Sequence, residues 1–357
     1  MQLEQLINAT AVATYYEKRT ENRIPYVAET LFPAVRNPGL TLEWFMGYNG
    51  LPVALRPSAL DTQPALRDRI GMSAIQTTMP FFREQMSVRE KERQQLLQLQ
   101  SLATPAAKAL VAKIYDDESS LISGALVQAE RMRCQLLYSG AISISAPNET
   151  GRVVNYDYDF DDSNKSWAKA NAKFKFNWSN PATSTPLEDI QAVVEEANTH
   201  GVVITRALCS NKMLLAGAKS DSIRKYANPV GYANTKPFTK SDFVDFILRE
   251  TSVLLVAYDK FYADADGSEH RFWPDNKIAF FPEGNLGKTH FGVTPEEADL
   301  ANGEQPGVDV KVVETGVSVA SWKDFHIVPV NMIVNVSALM LPSFEAMKSV
   351  YVATVTL

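Results

Sequence analysis

Several sets of residues in this sequence have types and spacings that could do chemistry. Gly287-Lys288-Thr289 has the form of the end of a phosphate-binding loop, in which backbone amides cradle the phosphates and the lysine reaches the terminal ones. That loop also needs a glycine five residues ahead of the Gly-Lys pair, and Pro282 stands there. The residues that follow, His290 to Pro295, do not read as the helix whose N-terminal amides would face the anion. A plain turn is the expectation. Asp157, Asp159, Asp161 and Asp162 have the look of a calcium loop, but the sixth position is Asp162 instead of glycine and the twelfth is Ala168 instead of glutamate. Tyr156, Tyr158 and Phe160 alternate with those acids, which describes a strand with one acidic face. Asp264, Asp266 and Gly267 read as a hairpin tip.

His200, His270, His290 and His326 occur in no HExxH or related spacing that would set two metal ligands on one face. Cys134 lies in an apolar helical stripe and Cys209 in an apolar strand, so both read as packing residues. No GxSxG elbow is present. A triad could still assemble from distant positions, since triads are defined in space. No catalytic, cofactor-binding or metal residue is assigned, and no cofactor is expected. The basic and acidic run Arg89 to Arg93 reads as a solvated helix face or a contact between subunits.

Composition narrows the classes. The chain has 357 residues, 45% hydrophobic and 21% charged, which is globular and long enough for about two domains. Lys and Arg number 35 against 41 Asp and Glu, a net charge of −6, so a protein that coats DNA through counterion release is disfavoured. The longest apolar runs, such as Val253 to Ala257, are far short of the ~20 residues that span a bilayer, and no membrane contact is expected. The opening MQLEQLINAT lacks the order of a signal peptide, and two cysteines are too few for a disulfide framework, so a reducing compartment is expected.

The elements that would position these residues follow from periodicity. Leu3, Leu6, Ile7 and Val12 predict a short amphipathic helix within residues 1–18. Pro25, Pro33 and Pro38 then predict an extended arm without regular structure, too apolar at Tyr26, Val27, Leu31, Phe32 and Val35 to be a solvated tail. Residues 40–80 read as a two-stranded excursion in which Leu42, Trp44 and Met46 alternate, with no room for a core of its own. Ser87 to Ser101 has helix formers throughout. Thr104-Pro105 opens a helix whose apolar positions run from Ala107 through Ile114, Leu121, Ala129 and Met132 to Leu136, and Gly140 ends it. From Pro105 to Ser139 that helix would be about 52 Å long, a spine rather than a core helix. Strands are predicted at Arg152 to Phe160, Lys173 to Phe176, Val202 to Cys209, Val253 to Ala263, Lys277 to Phe281, Ile333 to Val336 and Ser349 to Thr356. Helices are predicted from Thr185-Pro186 to Gly201 and from Ser241 to Arg249. The class is α+β.

Four stretches carry a resemblance. They are Glu29-Thr30-Leu31-Phe32-Pro33; the region from Pro52 through Ala54, Asp61 and Arg67 to Arg69-Ile70-Gly71 and Met79-Pro80-Phe81-Phe82; Phe272-Trp273-Pro274-Asp275-Asn276-Lys277-Ile278; and Leu339-Met340-Leu341-Pro342. In order and spacing they resemble the lambda-like phage major capsid protein E family, over nearly the whole chain. Pro342-Ser343-Phe344 departs from the proline-plus-acid of that family, and no residue for a Lys–Asn crosslink is carried over.

The resemblance implies a Hong Kong 97-type major capsid fold with an N-terminal arm, an extended E-loop, a long spine helix and two α+β lobes. The arm would be residues 1–40, the E-loop 41–83, the peripheral domain 84–180 with 325–357, and the axial domain 181–324. It implies a structural protein and no enzyme: hexamers and pentamers forming an icosahedral head around double-stranded DNA held without sequence-specific binding. Scaffold, portal and decoration proteins are the candidate further partners. The location would be the virion, with assembly in the host cytoplasm. Trp44, Phe45, Tyr48 and Leu55 of the E-loop, with Tyr26 and Phe32 of the arm, are the expected contacts between subunits, since aromatic anchors dominate interfaces. The rival readings are an encapsulin-like compartment, a tail or decoration protein, and an unrecognised α+β enzyme.

Overall fold

The computed structural model describes residues 8–18, 26–46, 73–89, 94, 105–145, 153–158, 166–227, 238–264, 266–300, 308–323 and 331–357. The arm holds α1 (Ala9–Lys18), α2 (Val27–Leu31) and β1 (Ala34–Arg36). β2 (Thr41–Met46) and β3 (Ser73–Thr78) pair as the two ends of the excursion, and β4 (Phe81–Val88) follows. The long helix α3 runs Pro105–Ser139. After it come β5 (Ala141–Ser145), β6 (Val153–Asp157), α4 (Ser166–Ala172), β7 (Lys175–Asn177), α5 (Pro186–Thr199) and β8 (Arg206–Cys209). Next are α6 (Asn211–Lys219), α7 (Asp221–Ala227), α8 (Lys240–Thr251), β9 (Leu254–Ala257), β10 (Phe261–Ala263), β11 (Glu269–Arg271), β12 (Lys277–Phe281) and β13 (Thr289–Phe291). A π-helical turn (Glu296–Leu300), β14 (Val308–Val313), β15 (Val317–Lys323), β16 (Met332–Pro342) and β17 (Tyr351–Thr356) complete the chain.

By internal contacts the chain divides into two compact units. The first comprises Met1–Glu43, Gln76–Arg133 and Lys288–Ser343. Its sheet has the order β1-β13-β16-β15-β14, with β4 also on β16. β16 is the shared strand, antiparallel to β15 over Met332–Ala338 and to β4 over Met332–Leu339. Almost every residue of β16 is buried, so both of its faces are covered. Helix α1 turns Val12, Ala13 and Tyr16 inward. Its first amides, which have no partner within a helix, donate to Ser321 Oγ (2.8 Å), Asp309 Oδ2 (2.8 Å) and Asn8 Oδ1 (2.7 Å).

The second unit comprises Trp44–Ile75, Cys134–Gly287 and Phe344–Leu357. Its sheet has the order β7-β17-β12-β8-β9, with β8–β9 and β17–β7 parallel and the rest antiparallel. The core joins Ile278, Phe280, Ala207, Cys209 and Ala353 of the strands to Ile190, Val193, Met213, Phe243 and Ile247 of α5, α6 and α8. Gly217 lets α6 approach α8, because a Cβ there would lie 2.5 Å from Phe243. Gly140 ends α3 at φ +72, where a side chain would meet Met347 at 2.8 Å.

The predicted bounds of α3, and the strand Lys277–Phe281, stand as expected. Other expectations are corrected. The arm is not devoid of regular structure: α2 and β1 form because Glu130 accepts from the Ala28 amide and β1 finds a parallel partner in β13. Ser87 and Val88 belong to strand β4, where pairing with β16 overrides helix propensity. Val253 to Ala263 is two strands, interrupted where Asp259 turns aside to accept from the Asn211 amide at the start of α6 (3.0 Å) and from Arg271 (3.0 Å).

Glu118, on the buried stripe of α3, is only 2% exposed, and neither carboxylate oxygen has a hydrogen-bond partner among the described residues. Burial, with a smaller contribution from Asp117, pushes its pKa up to about 8. A carboxyl raised in the folded state costs no stability below its unfolded value and progressively more as pH rises through the folded one. Replacing Glu118 with glutamine should therefore raise stability at pH 7 by about 3 kcal/mol and remove the decline between pH ~4.5 and ~8. Urea unfolding across that range checks it; parallel curves for the two proteins would contradict it.

Candidate functional site

The only phosphate-loop-like motif folds into a structural joint. Thr289, the first residue of β13, is fully buried, its hydroxyl donating to the Phe32 carbonyl (2.9 Å) and accepting from Arg133 Nε (2.8 Å). Arg133 also reaches Glu130 Oε2 (3.5 Å), and Glu130 Oε1 accepts from the Ala28 amide (3.0 Å). The two charged side chains lie at i and i+3 on α3 and are 0% and 4% exposed. One buried network thus ties α3 to α2, to the chain entering β1 and to β13. Tyr26 beside it has its pKa raised to about 12 by burial and then by Glu130. Lys288 points to solvent. No helix follows Thr289, so no amides converge on an anion there.

A second polar joint holds β4 and β16. Glu296 is buried and accepts from Ser337 Oγ (2.8 Å), Asn335 Nδ2 (3.1 Å) and Arg83 (3.2 Å). Asn335 and Ser337 are polar residues of the doubly covered strand β16, and Glu296 accepts from the Asn335 amide nitrogen and the Ser337 hydroxyl, while Asn335 Oδ1 finds no hydrogen-bond partner among the described residues. Burial alone would raise its pKa, but the hydrogen bonds from its own backbone amide, Ser337 and Arg83 outweigh that and hold it low. Arg36 pairs with the neighbouring Glu297.

The residues expected to touch a neighbour divide by placement. Phe32 is fully buried, Trp44 is 4% exposed and Tyr26 9%. Trp44 packs on Tyr158 with ring centroids 5.2 Å apart. In the lone subunit these three rings fill the chain's own core, so reaching a neighbour would require that packing to be undone. Phe45 belongs to β2, and Tyr48 and Leu55 lie outside the described residues.

The remaining chemical candidates do not converge. Cys134 and Cys209 are buried, and burial drives the Cys209 thiol far above its ordinary value. His200 lies by Glu196 and His270 by Asp264, both at the surface, His290 is in β13, and His326 is outside the described residues. Ser268 Oγ and Asp264 both approach the same nitrogen of His270, Nε2, at 2.9 and 3.2 Å, which is not the relay of a triad. Asp159, Asp161 and Asp162 are outside the described residues, and no group of metal-ligating side chains occurs among the described ones.

Sequence reasoning missed Glu118, Glu130, Arg133 and Glu296. A signal existed for the first: the apolar stripe steps from Ile114 to Leu121 across Glu118, a position on the same face.

Among solved structures, the fold is similar to a protein described as the capsid protein of a prophage in E. coli CFT073, at 12% identity, 98% of this chain, 99% of that one and TM-score 0.59. It is also similar to a phage-related protein from Bordetella bronchiseptica RB50, at 14% identity, 98% of this chain, 97% of that one and TM-score 0.51. The architecture is that of Hong Kong 97-type phage shell subunits. The family model for phage major capsid protein E matches residues 9–341, and the chain belongs to that family. Its role is structural: it is a capsid subunit that associates with its own kind in the virion shell. No curated protein matches the sequence.

Two substitutions separate joint from loop. Thr289→Val should cost about 1–3 kcal/mol by leaving Arg133 Nε and the Phe32 carbonyl unpaired, while Lys288→Ala should stay within about 0.5 kcal/mol. Guanidinium unfolding reads both. Equal effects would contradict the assignment of Thr289 to a buried joint.

Proposed function

We propose that this subunit forms hexamers and pentamers that close into an icosahedral head around double-stranded phage DNA. The single observation supporting this most is the capsid-family match across residues 9–341. In this reading the E-loop, residues 41–83, extends over an adjacent subunit, with Phe45, Tyr48 and Leu55 as its apolar contacts. The arm is residues 1–40, the peripheral domain 84–180 with 325–357, and the axial domain 181–324. Trp44, buried against Tyr158, serves as the anchor of the loop's root and acts through its own chain.

Heterologous rotational contacts close rings, and many modest contacts sum to a stable shell. The excess of acidic over basic residues suits a container whose DNA is enclosed without sequence-specific contacts. Scaffold and portal proteins, and a decoration protein, are the further partners of this reading, with assembly in the host cytoplasm. Catalysis has no part in it.

Particles from cells producing the whole phage should protect double-stranded DNA from nuclease. Particles with protein cargo and no DNA would favour a compartment shell. Joint replacement of Phe45, Tyr48 and Leu55 by alanine should abolish particles at the wild-type assembly concentration, while far-ultraviolet circular dichroism stays unchanged. Trp44→Ala should instead destabilise the subunit itself by about 3–5 kcal/mol. Normal particles from the triple variant would remove the E-loop contact from the account.

A further inference from the structure

Strand β4 is paired with β16 along its whole length, and no strand among the described residues lies on its other edge. Arg83, Glu84, Gln85, Met86 and Ser87 are all exposed, so the strand is open on both faces as well as along that edge. Proteins ordinarily block such an edge with proline, charged side chains (lysine above all) or a bulge, because its free amides and carbonyls are a template for another strand. Phe81–Val88 contains neither proline nor lysine, its ladder to β16 runs without a bulge, and its charges are one adjacent pair of opposite sign, Arg83 and Glu84, which constrains the register of a partner instead of closing the edge.

The kind of strand that fits follows from charge. The capsid reading makes a second copy of this chain the available partner. The only two-fold axis that exchanges adjacent antiparallel strands is normal to the sheet. Opposed side chains then come from the same face, and the axis passes through a residue. An axis through Arg83 opposes two arginines, and one through Glu84 opposes two glutamates. An axis through Met86 sets Arg83 against Arg89 of the second copy. One through Phe82 sets Glu84 against Pro80, which has no N–H for a ladder. Through Gln85 no like charges are opposed: Arg83 faces Ser87, Glu84 faces Met86 and Phe82 faces Val88.

We propose that two copies associate edge to edge through β4, antiparallel, with the two-fold axis at Gln85, so that one sheet continues from subunit to subunit. The identity of the partner rests on the capsid reading; the register rests on the strand.

The test is disulfide trapping in the full chain. Cys134 and Cys209 are buried and stay silent. At the axis, two Gln85→Cys residues would have Cα atoms about 4.5–5.5 Å apart, within reach of a disulfide. Two Ser87→Cys residues would be displaced by four positions, about 14 Å, and out of reach. After mild oxidation at the concentration where the wild type associates, the Gln85→Cys band should shift to twice the monomer mass on a non-reducing gel. The Ser87→Cys band should not. Wild-type and Gln85→Cys particles with no shifted band would overturn the edge pairing and leave the capsid reading standing. Equal trapping of both variants would overturn the register and with it the proposal. A Gln85→Cys dimer without any particles would support the pairing while the capsid reading failed. Neither dimer nor particle would overturn both.

Discussion

Two opposite charges on α3, Glu130 and Arg133, are withdrawn almost completely from water, and much of the first unit is arranged to make that tolerable. A buried ion pair recovers its desolvation cost only when its remaining donors and acceptors are met. Glu130 is met by the Ala28 amide and Arg133 by the Thr289 hydroxyl, which in turn binds the Phe32 carbonyl. The partners come from two distant stretches of chain, Ala28 to Phe32 and Thr289. Satisfying one pair therefore fixes where α2 begins, where the chain enters β1 and how β13 starts.

The same logic recurs at β16. A strand covered on both faces should be apolar throughout, yet it carries Asn335 and Ser337. Glu296 accepts a hydrogen bond from each of them and draws Arg83 of β4 into the joint. Within the first unit the polar joint at Glu296 holds β4 to β16, and within the second Trp44 packs on Tyr158. Pairing, burial and hydrogen bonding complete the subunit's own core, and association falls to what they leave open.

Much of this was legible in the sequence wherever a local signal marked an element. Pro105 and Gly140 bracket α3, Pro186 and Gly201 bracket α5, and Lys277–Phe281 is an apolar strand in any context. Helices α4, α6 and α7 were not foreseen. They are short, and α6 depends on Ser210 and on the distant Asp259 to cap its start. The arm rings Tyr26 and Phe32 read as ready for a neighbour because periodicity shows that a residue is apolar, not which chain buries it. Gly287-Lys288-Thr289 showed the complementary ambiguity. The motif has a ligand-binding form, and only the third dimension assigns its threonine to a joint. The charges on α3 were passed over because a periodic stripe registers its apolar members and not the positions it skips.

Electron microscopy of the purified protein, paired with light scattering over a range of concentrations, tests most directly whether this chain is a self-assembling shell subunit. Rings or closed polyhedral shells that grow with concentration are expected. A compact monomer at every concentration, with the segment 41–83 protected from protease in that monomer, would contradict it, because the E-loop would then be complete without a neighbour.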